Sequence, residues 1–222
     1  MAKRTEIRAL DAPTLITSKS APYVLWGDKT SGFVNDLFYV LSKQIIMVTV
    51  FLPPGAQFRA SEAYRPYYDT HECLYVLEGQ YTCHDPHTGE VRTARQGEMI
   101  FMPEKRWHYG VNYGDGGLRL LEVIAPPTSQ AASAHVPIPA KPRSIDDAAL
   151  AALPIKIGLG AQNLHVRNES NAVNCLLSGS LPVWCQVFAS TERASFAIAK
   201  LFPNQYSHEV TFAHDVAYTN SR

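Results

Sequence analysis

The amino-acid sequence predicts an all-β chain folded as a sandwich or closed barrel, and two observations carry that prediction. Short runs of Val, Ile, Leu, Phe and Tyr recur along the chain, most of them bounded by Gly or Pro turns. Pieces of the first half then reappear, in the same order, in the second half.

The strand-like runs follow one another closely. Ile45 to Leu52 is β-branched and apolar and stops at Pro53-Pro54-Gly55. Leu74 to Leu77 ends at Glu78-Gly79, and Tyr81 to Cys83 leads into the turn cluster His84-Asp85-Pro86-His87-Thr88-Gly89. That cluster predicts solvated histidines at 84 and 87. Val91 to Ala94 returns, Gly97 opens the run Met99 to Met102, and Leu118 to Ala125 is the last strong strand before Pro126-Pro127. Residues 126–143 change character. Pro126, Pro127, Pro137, Pro139 and Pro142 alternate with Ala and Ser, which predicts a linker or surface strap. A short helix is expected where Ser144 caps a stretch that Asp146 and Asp147 favour and Pro154 ends. Strand signals resume at Val173 to Leu177, Val183 to Phe188 and Phe196 to Phe202.

The repeat divides the chain. Val50 to Pro54 aligns with Lys200 to Pro203, and His71-Glu72-Cys73-Leu74-Tyr75 aligns with His214-Asp215-Val216-Ala217-Tyr218. The organisation expected is therefore a complete unit over 1–125, a linker over 126–154 and a partial second copy over 155–222. In that copy His208, His214 and Asp215 form a further polar cluster. Its apolar positions, Phe196, Ile198, Leu201, Phe202, Val210 and Phe212, require a covering. The barrel of the same chain or a homodimer can supply it, and the prevalence of symmetric pairs favours the homodimer.

Composition narrows the function. The 222 residues carry 20 basic and 20 acidic side chains, so no net field recruits nucleic acid or a membrane surface. No apolar run is long enough to span a bilayer, and the charged start, Met1 to Arg8, has no apolar stretch behind it, so a cytoplasmic location is expected. Cys73, Cys83, Cys175 and Cys185 each sit in an apolar strand run, which predicts buried thiols. Nucleophile elbows, phosphate-binding glycine loops and Cys-x-x-Cys pairs are absent from the sequence.

One pattern carries chemistry. Gly97-x5-Pro103-x4-His108-x3-Asn112 begins a strand with glycine, ends it with proline and returns a histidine, with Glu72-x6-Gly79 upstream. Over Phe51 to Ala125 these residues resemble the two signature motifs of the cupin superfamily. The resemblance implies a jelly-roll β-barrel over 1–125, and a second, incomplete jelly roll over 155–222. It also implies one divalent metal ion (iron, zinc, nickel or manganese) held by His108 and Glu72. The first motif departs from the family. Counting back from Glu72 reaches Pro66 and Tyr68, counting forward from Gly55 reaches Ser61 and Ala63, and neither finds the family's His-x-His pair. The interval carries an insertion that contains Tyr64, Tyr67 and Tyr68. His71 is a third candidate ligand, but it can share a site with Glu72 only across a bulge, because adjacent strand residues face opposite ways.

The resemblance implies a metal-dependent enzyme acting on a small organic molecule, aromatic or carbonyl, with a dioxygenase as the example. His71 or Tyr68 would then move protons, and Tyr75, Met102 and Trp107 would line the pocket. The alternative is a non-catalytic cupin that binds or senses a small ligand.

Overall fold

A computed structural model describes residues 13–88, 90–128, 137–138, 164–177, 183–190, 195–200 and 217. The expected helix after Ser144 and the cluster of His208, His214 and Asp215 lie outside the described residues, as does most of the linker. Among the described residues every regular element is a β-strand. They are β1 Tyr23–Asp28, β2 Gly32–Leu41, β3 Ile46–Leu52, β4 Gln57–Phe58, β5 His71–Glu78, β6 Gln80–His84 and β7 Val91–Arg95. Then come β8 Met99–Met102, β9 Tyr109–Val111, β10 Leu118–Ala125, β11 His165–Arg167, β12 Val173–Leu177, β13 Val183–Ser190 and β14 Ser195–Lys200.

A seven-stranded sheet in the order β1-β2-β3-β10-β5-β8-β11 faces a four-stranded sheet in the order β4-β9-β6-β7, and together they form the jelly roll. Pairing is antiparallel throughout. Strand alternation explains the core. Val48, Val50 and Leu52 of β3, Leu74 and Val76 of β5, and Leu118 and Leu120 of β10 share one face and pack with Tyr81, Cys83 and Ile100 between the sheets. Cys73 and Cys83 are buried thiols, as expected, and burial pushes the Cys73 thiol up to about 12.

The described C-terminal strands pack on the barrel of the same chain. β11 extends the large sheet by pairing with β8 (Val166 opposite Ile100), and Leu164 enters the barrel core. The sheet β12-β13-β14 sends Phe188, Phe196 and Ile198 onto Cys73, Tyr75, Met99 and Phe101, on the outer face of β5 and β8. Of the two coverings that the sequence allowed, the described strands use the barrel of the same chain. The homodimer stays a separate proposal.

Two left-handed positions fix tight turns of the barrel. Lys105 stands where the cupin pattern has its inner glycine and takes φ 60°, a conformation that disfavours a side chain. Lys105→Gly is therefore expected to leave stability unchanged or raise it by up to about 1 kcal/mol. Gly79, between β5 and β6, has φ 84°, and a Cβ there would lie 2.7 Å from the Gly117 carbonyl oxygen. Gly79→Ala is expected to cost at least about 1–3 kcal/mol. Thermal unfolding of the two variants checks both, and a Gly79→Ala protein as stable as the parent would refute the steric argument.

Candidate functional site

The site grows from the register of the large sheet. In β10, Leu118, Leu120 and Glu122 share the inward face, so a lone carboxyl is carried into an apolar row. Glu122 pairs with Val48 on one side and Leu74 on the other. Glu72 lies two residues along β5 from Leu74, a diagonal neighbour within reach of Glu122. Asp36 of β2 pairs with Val50, two residues along β3 from Val48, and so approaches from the opposite side. Three strands thus bring Asp36, Glu72 and Glu122 to one cavity.

Backbone bonds bring the other half. The Lys105 amide donates to the Tyr68 carbonyl at 2.6 Å, and the His108 amide donates to the Pro66 carbonyl at 3.2 Å. Tyr67 and Trp107 bridge between these contacts, with ring centroids 5.2 Å apart. The insertion is therefore stitched to the turn of the second motif, which sets the Tyr68 ring 5.7 Å from His108. Asn112, the motif's last residue, is wholly buried and structural: its amide donates to the carbonyls of Leu52 and Gly116.

The cavity measures about 60 Å³, room for roughly four or five waters. Its polar wall is Asp36, Glu72, Glu122, His108 and Tyr68, and Trp26, Phe58 and Tyr81 supply aromatic surface. Trp26 and Phe58 stack at 4.4 Å. Tyr81 lies over Gly110, where a Cβ would come within 2.7 Å of the ring.

Burial governs the charges. His108 Nε2 is 3.4 Å from Glu72 Oε2, yet that oxygen accepts no hydrogen bond. Desolvation holds the His108 imidazole down at about 4, so it is neutral at neutral pH. Desolvation first, and repulsion from Glu122 second, push the Glu72 carboxyl well above the usual carboxylate range. Glu122 is also raised by burial, and the two carboxyls share a hydrogen bond, which requires a proton on one of them. Burial, and then Glu122, raise Asp36 to about 8. Burial raises the Tyr68 hydroxyl well above its ordinary value.

Of the residues singled out from the sequence, the fold brings together His108, Glu72 and Tyr68. His71 does not join them. The ladder of β5 with β10 runs regularly through His71 and Glu72, so no bulge turns His71 inward, and its ring lies against Phe101, 5.3 Å away. Tyr75 shares that outward parity and packs on Phe188 and Phe196 rather than lining the pocket. Met102 is buried in the barrel core without reaching the cavity wall, and Trp107 covers Tyr67 instead. Ser61, reached by the forward count, donates its hydroxyl to Asp28 at 2.7 Å. His84, expected in solvent, is buried against Tyr109. Arg106 does not neutralise Glu72: it pairs with Asp85 and Glu90, both at 3.0 Å.

Asp36 and Glu122 escaped the sequence reading. Their signal was parity: a single acid on the apolar face of a strand, Glu122 in step with Leu118 and Leu120, and Asp36 in step with Val34.

The donor set does not match a metal centre. Among the described residues no three His, Cys, Asp or Glu side chains stand close enough together to hold one ion. Only His108 and Glu72 of the implied ligands adjoin, and Tyr68 stands at the position that the backward count assigns to a histidine.

The family comparison agrees on the fold. Residues 48–124 match the family described as Cupin domain. No curated protein matches. Among solved structures, a predicted oxalate decarboxylase from Thermotoga maritima is 22% identical with a TM-score of 0.43, covering 50% of this chain and 98% of that one. An RmlC-like cupin from Shewanella frigidimarina is 16% identical with a TM-score of 0.41, covering 54% and 96%. The polyketide cyclase RemF from Streptomyces resistomycificus is 16% identical with a TM-score of 0.43, covering 64% and 95%.

Proposed function

On the premise that residues 48–124 match the Cupin domain family, we propose that the barrel is a small-molecule site whose His108–Glu72 pair takes and gives a proton on the bound molecule. The supporting observation is the pair itself. A neutral imidazole and a carboxyl that keeps its proton stand 3.4 Å apart in a buried cavity without neutralising each other. Such a pair has a base and an acid ready at neutral pH. Glu122 shares the acid's proton, and Tyr68 beside His108 offers a hydroxyl that stays protonated.

The test has two stages. Ligands found by thermal shift are incubated with the protein in deuterated water, and exchange at the ligand's own C–H positions is followed by NMR. His108→Gln and Glu72→Gln are expected to slow exchange about 100- to 10,000-fold. Binding without enhanced exchange in the parent protein would overturn the catalytic part and leave a ligand-binding or sensing cupin.

A second reading is the metal-dependent oxidation that the resemblance implies. The observation in its favour is that His108 and Glu72, the two family positions retained, adjoin. Elemental analysis after reconstitution with iron, zinc, nickel and manganese tests it. About one metal per chain, lost in His108→Ala, would support it, and well under one per chain would remove it.

A further inference from the structure

We propose that the molecule held in this cavity is a small organic cation, a protonated amine whose N–H groups meet the Asp36 and Glu72 carboxyls while its alkyl groups lie on the aromatic wall. The inference rests on the reading that the barrel interior is the binding site, and it adds the class of ligand.

The argument begins with acceptors that lack donors. Asp36 is 7% exposed and Glu72 2% exposed, and both line the cavity. Asp36 Oδ1 and Glu72 Oε2 accept no hydrogen bond. A buried carboxyl oxygen without a donor costs free energy that a bound N–H group would recover. Glu122 brings a third carboxyl to the same space, and among the described residues no lysine or arginine lines it. Arg106, the nearest candidate in sequence to His108, is committed to Asp85 and Glu90. A wall with three carboxyls and no lysine or arginine among its described residues is complementary to a positively charged guest, whose charge favours loss of the carboxyl protons, and opposed to an anionic one.

The remaining wall decides between a metal ion and an organic cation. No three donors converge on one point among the described residues. Trp26, Phe58, Tyr68 and Tyr81 instead present rings, the surface that attracts an alkylammonium group. The volume of about 60 Å³ limits the guest to a handful of non-hydrogen atoms.

Isopropylammonium and propan-2-ol have the same shape and differ in charge and donor number, and isobutyrate supplies the anion. Binding of each is measured by calorimetry on the full chain, with sodium chloride balancing ionic strength, and the imidazole signals of His108 are followed by NMR to locate the guest. Isopropylammonium is expected to bind at least about tenfold more tightly than propan-2-ol, to move the His108 signals, and to weaken about tenfold or more in Asp36→Asn. Isobutyrate is expected not to bind. Equal binding of the amine and the alcohol, with His108 signals moving for both, would overturn the cation inference and leave the small-molecule site standing. Failure of every probe to move His108 would overturn both. Amine binding undiminished in both Asp36→Asn and Glu72→Gln would place the cation elsewhere and refute the proposal.

Discussion

Replacing Phe188 with alanine is expected to lower the unfolding free energy by about 3–5 kcal/mol. The side chain is 2% exposed and sits edge-on to Tyr75 and Phe196, at 5.9 and 6.0 Å. It is the part of the outer three-stranded sheet that reaches the cluster around Cys73 and Met99. Truncation leaves a cavity between two sheets that cannot both collapse into it. Urea unfolding followed by fluorescence checks the value, with Tyr113→Ala, at a side chain 52% exposed, as a control expected to change stability little. A loss under about 1 kcal/mol at Phe188 would mean that the outer sheet is not packed as described.

The second large effect concerns Asp36. Its pKa is raised to about 8 by burial first and Glu122 second, against roughly 3.9 in an unfolded chain. Between those values the native state keeps a proton that the unfolded state releases. The group's stability contribution is therefore complete below about pH 4 and is lost as pH rises to 8, at about 1.4 kcal/mol per pH unit. The Glu72–Glu122 pair acts in the same direction, since both pKa values are raised. His108 acts in the opposite one, because its lowered value of about 4 makes stability grow as pH rises toward 6.5. Asp36→Asn removes one descending contribution. At pH 8 the variant is expected to be more stable than the parent by roughly 3–5 kcal/mol, and at pH 4 nearly equal to it. Urea midpoints across this range measure the difference, and parallel curves for the two proteins would refute it.

Much of the barrel was legible because its strands are uninterrupted. Ile46–Leu52, Met99–Met102 and Leu118–Ala125 read as strands from β-branched content and terminating prolines. The second motif pointed to His108, which lines the cavity, because its glycine, proline and asparagine are turn and loop residues whose roles are local. β2 was harder to read, since Asn35 and Asp36 break its apolar pattern. The side assignments failed where they depended on partners distant in sequence. Tyr75 looked like a pocket residue because it is aromatic and adjacent to the motif, whereas parity sends it outward to Phe188. His71 faces outward for the same reason. Apolar residues on both faces of β5 and β8 were the available sign that a further layer covers them. The three-carboxyl cavity depends on register across β2, β3, β10 and β5, which no single run reveals.

The backbone bonds from Lys105 to Tyr68 and from His108 to Pro66 have an evolutionary consequence. They fasten the inserted segment by main-chain atoms, so the side chains it presents can change without loosening the fastening. Tyr68 is one such presented group, beside the histidine whose own amide is part of the fastening. Selection can therefore exchange the chemistry next to His108, and with it the molecule accepted, while the residues responsible for folding stay as they are.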